Sequence, residues 1–199
     1  MTDCEPHDMK NSKQHAVDVT LDPDTAHPKL ILSADGKQVK HGDTRQNLPD
    51  TPKRFNYIGS VLGGEGFSSG KFYYEVQVKG KTGWAIGVAR ESINRKGSIK
   101  ASPDNGYWTI RLRNGTYEAL ARPFVPLSLI GILQRVGVFV DYDAGLVSFY
   151  DADCWDHIYS FNNVSFTGKI YPYFSPVMNE GGKNSVPLII SPVHVCPIK

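Results

Sequence analysis

Four carboxylates, Asp141, Asp143, Asp151 and Asp153, stand close together in the sequence and could in principle hold calcium or share a proton. Asp141-x-Asp143-x-Gly145 places its glycine one position too early for an EF-hand loop, and no closing Glu follows. Asp and Gly at these positions are what a hairpin turn needs. The glycine-rich stretch from Gly63-Gly64-Glu65-Gly66 to Gly70-Lys71 invites a phosphate-loop reading. Five residues separate Gly64 from Gly70 where a P-loop has four, and Phe72 stands where Ser or Thr must follow the lysine. The stretch also runs into a strand, so no helix N-terminus is available to hold a phosphate. His27, His41 and His157 are scattered without metal spacing. No Gly-x-Ser-x-Gly elbow or cysteine nucleophile motif occurs. The expectation is a chain with no active site, metal or cofactor.

Arg111 and Arg113 are the charged pair whose spacing carries most information. Residues at i and i+2 of a strand point the same way. These two therefore share a face with Tyr107 and Thr109, opposite Trp108, Ile110 and Leu112. Two guanidiniums on one face form either a solvated surface or the basic edge of a ligand pocket, and they suit carboxylate or phosphate partners. Trp84 and Trp108 lie among apolar neighbours, which makes them core residues before interface anchors.

The elements that must position these residues are strands. Short alternating runs recur between turn residues. Val17, Val19 and Leu21 alternate before Asp22-Pro23, and Leu30 and Leu32 before Asp35-Gly36. Phe72, Tyr74, Val76 and Val78 share one face. Trp84, Ile86 and Val88 alternate with small residues, and Asn114-Gly115 turns the chain after the arginine strand. Val136, Val138 and Val140 alternate, and Val147 and Phe149 follow a turn at residues 143–145. No sustained helical spacing and no internal repeat is present, so the expected fold is an all-β, two-sheet antiparallel sandwich. Residues 90–105 are polar and residues 122–134 rich in proline and leucine; loops of this length are more often functional than accidental. Residues 1–14 read as a flexible linker.

Composition narrows the function. Hydrophobic residues make up 40% of the 199 and charged residues 21%, enough for one core without staples. A net charge of +2 provides no strong field, so nucleic acid is not an expected partner. Cys4, Cys154 and Cys196 form no disulfide or zinc pattern, and reduced thiols together with the polar start fit a cytoplasmic protein. The longest nearly apolar run, residues 123–133, is too short to span a bilayer. Asn114 and Asn163 sit in glycosylation patterns read here as chance.

Three segments together resemble the PRY-SPRY family. The first is Val19-Thr20-Leu21-Asp22-Pro23-Asp24-Thr25-Ala26-His27-Pro28. The second includes Gly66-Phe67-Ser68-Ser69-Gly70-Lys71 and Tyr73-Tyr74-Glu75-Val76, with Tyr74 where relatives usually carry Trp. The third is Gly137-Val138-Phe139-Val140-Asp141-Tyr142-Asp143-Ala144-Gly145 followed by Val147-Ser148-Phe149-Tyr150. The resemblance runs from about residue 16 to 192 and implies one domain over 15–195, a PRY part over 15–65 and a SPRY part over 66–195, with a tail at 196–199. It implies a concanavalin-like sandwich that binds another protein, closest in style to the C-terminal domain of the tripartite-motif (TRIM) E3 ubiquitin ligases, as the substrate- or ligand-binding part of such a ligase or of a related innate-immune protein. Butyrophilin-like relatives allow a second reading, a sensor of a small phosphorylated metabolite. Ligase activity would belong to a RING domain on a parent chain, not to these residues. The family's pocket positions match Ala85, Arg111, Arg113 and Met178. Arg90, Lys96, Tyr107 and Asn179 complete the expected binding set, with the 90–105 loop as one wall. Relatives that bind antibody Fc carry aromatic residues at the two arginine positions and an acid at the Ala85 position, so antibody binding is not expected. The expected partner is a protein with an acidic or phosphorylated epitope, met by a monomeric domain.

Overall fold

The computed structural model describes residues 7–194; the 196–199 tail, Cys4 and Cys196 lie outside them. A short helix, α1 (His7–Lys13), precedes thirteen strands. These are β1 (Leu30–Leu32), β2 (Gln38–His41), β3 (Val61–Leu62), β4 (Lys71–Gln77), β5 (Trp84–Arg90), β6 (Tyr107–Arg113) and β7 (Thr116–Ala119). They continue with β8 (Val125–Leu127), β9 (Arg135–Asp141), β10 (Leu146–Asp151), β11 (His157–Phe161), β12 (Ile170–Ser175) and β13 (Leu188–Ser191). One sheet runs β1-β2-β13-β4-β9-β10-β11 and the other β3-β12-β5-β6-β7-β8, all pairs antiparallel. This is the two-sheet sandwich that the alternation predicts.

The alternating faces meet between the sheets. Phe72, Tyr74, Val76, Val136, Val138, Val140, Val147 and Phe149 come from one sheet. Trp84, Ile86, Val88, Trp108, Ile110, Leu112 and Phe174 come from the other. Tyr74 fills the slot expected of it and donates its buried hydroxyl to the Gly87 carbonyl at 2.5 Å. Gly87 can be nothing larger, since a Cβ there would come 2.1 Å from the Trp108 carbonyl oxygen.

The PRY and SPRY parts share both sheets. β1 and β2 extend the seven-stranded sheet through β13, and β3 extends the six-stranded sheet through β12. Residues 42–60 then cross the outer face of the six-stranded sheet, where Phe55, Leu62, Ala89, Ile93, Tyr107 and Tyr173 form a second core. Residues 17–21 are not a regular strand. Ala16, just before them, bridges Tyr73 and Leu21 bridges Gly63 as isolated pairs, while Val19 and Leu21 are buried.

The N-terminal segment departs from a flexible linker over residues 7–13, which are helical. Met9 is buried against Tyr73 and Trp155 on the outer face of the seven-stranded sheet. One apolar contact of this kind can order a short helix that has little stability alone. Residues 1–6 of that expected linker lie outside the described residues.

Candidate binding groove

The outer face of the six-stranded sheet is covered at one end by the second core and open at the other. The open end is a groove of about 950 Å³. Its floor follows from register: Ala85 on β5 pairs with Arg111 on β6 and with Ser175 on β12, and Arg111 pairs with Glu118 on β7. These residues alternate with Trp84, Ile86, Ile110 and Leu112, which enter the core, so their side chains emerge on the outer face. Ala85 is small, and the space above it is the groove.

Arg111 is not a free cation. Its guanidinium donates to Glu118 Oε2 at 2.9 and 3.3 Å and lies 4.7 Å from the centre of the Phe124 ring. Both partners are about one-fifth exposed. Arg113, two residues on, is exposed and has no ion pair among the described residues. Met178 stands on the rim, 68% exposed, facing a wall that includes Tyr57, 69% exposed, and Ile58 from the PRY part.

Of the residues expected to bind, Ala85, Arg111, Arg113 and Met178 line this groove. Asn179 does not, and its amide reaches Asp43 at 3.4 Å. Three others serve the fold. Tyr107 has the parity of the arginines, but its end of the face is roofed by residues 42–60. It is fully buried, edge-on to Tyr173 at 5.4 Å, with its hydroxyl donating to the Asn94 carbonyl. Lys96 donates to Asp50 and to the carbonyls of Thr51 and Arg54, pinning the PRY crossing to the 91–106 loop. Arg90 lies beside the core, its guanidinium 5.7 Å from the Trp108 ring. The loop after β5 contributes Ile99, Lys100 and Ala101 to the groove wall.

The loop that carries Met178 is braced from beneath. Asn184 is fully buried, and its Oδ1 accepts from the Thr82 and Gly83 amides at 2.9 and 3.1 Å. Its Nδ2 donates to the carbonyls of Gly83, Pro176 and Met178. Lys81 donates to the Asn184 and Val186 carbonyls, and burial pulls its pKa down to about 8 against the pull of Glu180. The bonds to Lys81, Thr82 and Gly83 tie the Met178 loop to the neighbouring turn, and those to Pro176 and Met178 close the loop on itself, which braces the rim.

Sequence reasoning missed the PRY wall: His27, Lys29, His41, Arg45 and Tyr57. These residues have no common period, because chain crossing rather than strand parity brings them together. His27 accepts from the Lys29 amide at 3.0 Å through Nδ1. Burial, then Arg45, His41 and Lys29, lower its pKa to about 4, so the ring is neutral. Burial and Lys29 also push the pKa of His41 down. Among the described residues no group of three or more His, Cys, Asp or Glu could hold a metal ion. Among the described residues no helix is long and apolar enough to cross a membrane.

Comparison with known proteins decides what carries this groove. Residues 71–189 match the SPRY domain and residues 19–67 the SPRY-associated domain, PRY. The chain belongs to the PRY-SPRY family. It is 48% identical over 182 residues to human erythroid membrane-associated protein, covering 91% of this chain and 38% of that protein. It is 51% identical over 173 residues to the rat E3 ubiquitin-protein ligase TRIM69, covering 86% and 34%. The chain thus spans about a third of the length of these curated relatives. The TRIM65 PRY-SPRY domain superposes with a TM-score of 0.78 at 20% identity, covering 96% of this chain and 98% of that one. At that identity the likeness concerns the fold. PRY-SPRY domains are protein-binding modules rather than catalysts, and a protein-interaction role follows for this chain.

Proposed function

We propose that this PRY-SPRY domain is the substrate- or ligand-recognition part of a cytoplasmic TRIM-type ubiquitin ligase or a related innate-immune protein, and that it acts through the groove over Ala85. The observation that carries this reading is the groove itself: an alanine floor, a braced rim, and the exposed apolar side chains of Tyr57, Met178 and Phe124 around it. Clustered apolar surface edged by charge is characteristic of a partner site. The occupant is a protein segment that places one apolar side chain over Ala85, flanked by acidic or phosphorylated groups, and one monomeric domain binds one segment. The exposed apolar rim favours such a segment over a small phosphorylated metabolite, which would leave Tyr57 and Met178 uncovered.

The test begins with partner capture from cell lysate, followed by hydrogen exchange on the purified complex. Protection is expected at Ala85, Arg113 and the Met178 loop. Protection confined to the seven-stranded sheet would place the site elsewhere.

A further inference from the structure

The groove is far more basic than the chain. Lys29, Arg45, Lys100, Arg111 and Arg113 line it against one lining carboxylate, Glu180, on a chain whose net charge is +2. Arg111 is neutralised by Glu118. The excess charge therefore sits on the other four, none of which has an ion pair among the described residues. Two of the four, Lys29 and Arg45, are gathered around the histidines of the PRY wall.

Backbone geometry makes this grouping. His41 pairs with Leu30 across β1 and β2, and the Gly42 amide donates to the Lys29 carbonyl at 2.8 Å. The Gln46 amide donates to the Pro28 carbonyl, which returns Arg45 to the same strand end. Lys29, His41 and Arg45 all lie within electrostatic range of His27. The His41 ring lines the groove at that same strand end. The wall therefore offers two cations without an ion pair among the described residues and an imidazole beside them, with the Asp43 carboxylate in electrostatic range of His41 and Asp50 in range of Arg45.

We propose that Lys29, His41 and Arg45 form an anion subsite for a phosphate monoester carried on a side chain of the docked protein. A single carboxylate would neutralise one of the two cations, whereas a phosphate monoester carries a charge of about −1.5 to −2 at pH 7 and matches both. Arginine suits its oxygens bidentately and lysine as a point charge. Tyr57 and Met178 provide the apolar surface for the residues beside the phosphorylated one. The subsite rests on the groove being the partner site, and it moves the recognised charge from Arg111 to the PRY wall.

The experiment is an amide NMR titration of the isotope-labelled chain at pH 7.5 with phenyl phosphate, benzoate and inorganic phosphate. Phenyl phosphate should shift the Lys29, Gly42 and Arg45 amides saturably, and benzoate and inorganic phosphate should each bind at least threefold more weakly. The K29Q/R45Q variant should weaken phenyl phosphate at least tenfold with the rest of its spectrum unchanged. Removing the same charge from exposed positions off the groove, in K79Q/K169Q, should leave the Kd within twofold. Equal losses in the two variants, or unsaturable shifts, would reduce the effect to bulk charge and overturn the subsite. Equal affinity for inorganic and phenyl phosphate would overturn the protein-borne ligand. Saturable shifts confined to Ala85, Arg113 and Met178 would overturn the subsite while leaving the groove standing, whereas saturable shifts outside the groove would overturn both.

Discussion

Charge reversal at Arg111 and at Arg113 should have sharply different consequences. The two arginines share a strand face, and by sequence alone both are exposed and interchangeable. In the structure Arg111 is four-fifths buried between Glu118 and the Phe124 ring, while Arg113 extends into solvent. Arg111→Glu sets two carboxylates opposite each other on paired strands. At about 4 Å and an effective dielectric near 20, like charges repel by about 4 kcal/mol. Rotation of the new side chain into the groove relieves part of this, and the lost cation–π contact adds about 0.5–1 kcal/mol. The expected net cost is about 2–3 kcal/mol, a large part of a domain stability of about 5–15 kcal/mol. Arg113→Glu should stay within about 0.5 kcal/mol. Urea unfolding followed by tryptophan fluorescence measures both. The charge-swapped double variant, Arg111→Glu with Glu118→Arg, should recover at least half of the loss, because it restores an opposite-charge pair. An Arg111→Glu protein as stable as wild type, or a swap that recovers nothing, would refute the reasoning that the pair is a half-buried unit.

Other outcomes follow from the same packing. Phe55→Ala removes a fully buried ring from the second core, edge-on to Tyr173 at 6.3 Å, and should cost about 3–5 kcal/mol in a single cooperative urea transition; two separate transitions would mean that PRY and SPRY fold apart. A fragment of residues 66–199 should aggregate or melt without cooperativity, because it exposes the edges of β12 and β13 and uncovers Tyr107 and Tyr173; light scattering and calorimetry read this. His27 has a folded pKa of about 4, below its ordinary 6.5, so the unfolded chain binds that proton more readily. Its stability contribution is complete above about pH 6.5 and should be lost as pH falls toward 4. The amount is on the order of 3 kcal/mol, read as the wild-type slope missing from His27→Asn, which keeps an acceptor for the Lys29 amide. Asn184→Asp keeps the two accepted bonds and loses the three donated ones, so hydrogen exchange should quicken in the Met178 loop while the sheets stay protected.

The parts of the fold legible in the sequence are those with one face in the core. β4, β5, β6, β9 and β10 alternate because one side meets the opposite sheet. β12 hides its pattern: Phe174 faces the main core, Tyr173 faces the second one, and both are buried. The same roof explains Tyr107, whose parity is legible but whose burial depends on a segment about fifty residues away. Ala85, Arg111, Arg113 and Met178 entered through family likeness and strand parity, both of which are local signals. The Glu118 partner of Arg111 needed the register of β6 with β7, and the Lys29–Arg45 wall needed the path of the PRY crossing. Neither leaves a spacing in the chain. The α1 contact rests on one methionine in an otherwise polar stretch, below what any periodicity can register.

The account's central claim is that partners dock over Ala85, and filling that space tests it most directly. Ala85→Trp adds an indole to the groove floor, where the alanine is only half-buried and nothing in the core must move. The measurement is the affinity of the captured partner for wild type, Ala85→Trp and, as a control distant from the floor, Ile132→Ser at a 78% exposed position. The account predicts a Tm within a few degrees for all three, at least a tenfold loss of affinity for Ala85→Trp, about 1.4 kcal/mol, and none for Ile132→Ser. A normally folded Ala85→Trp protein that binds its partner as wild type does would contradict it.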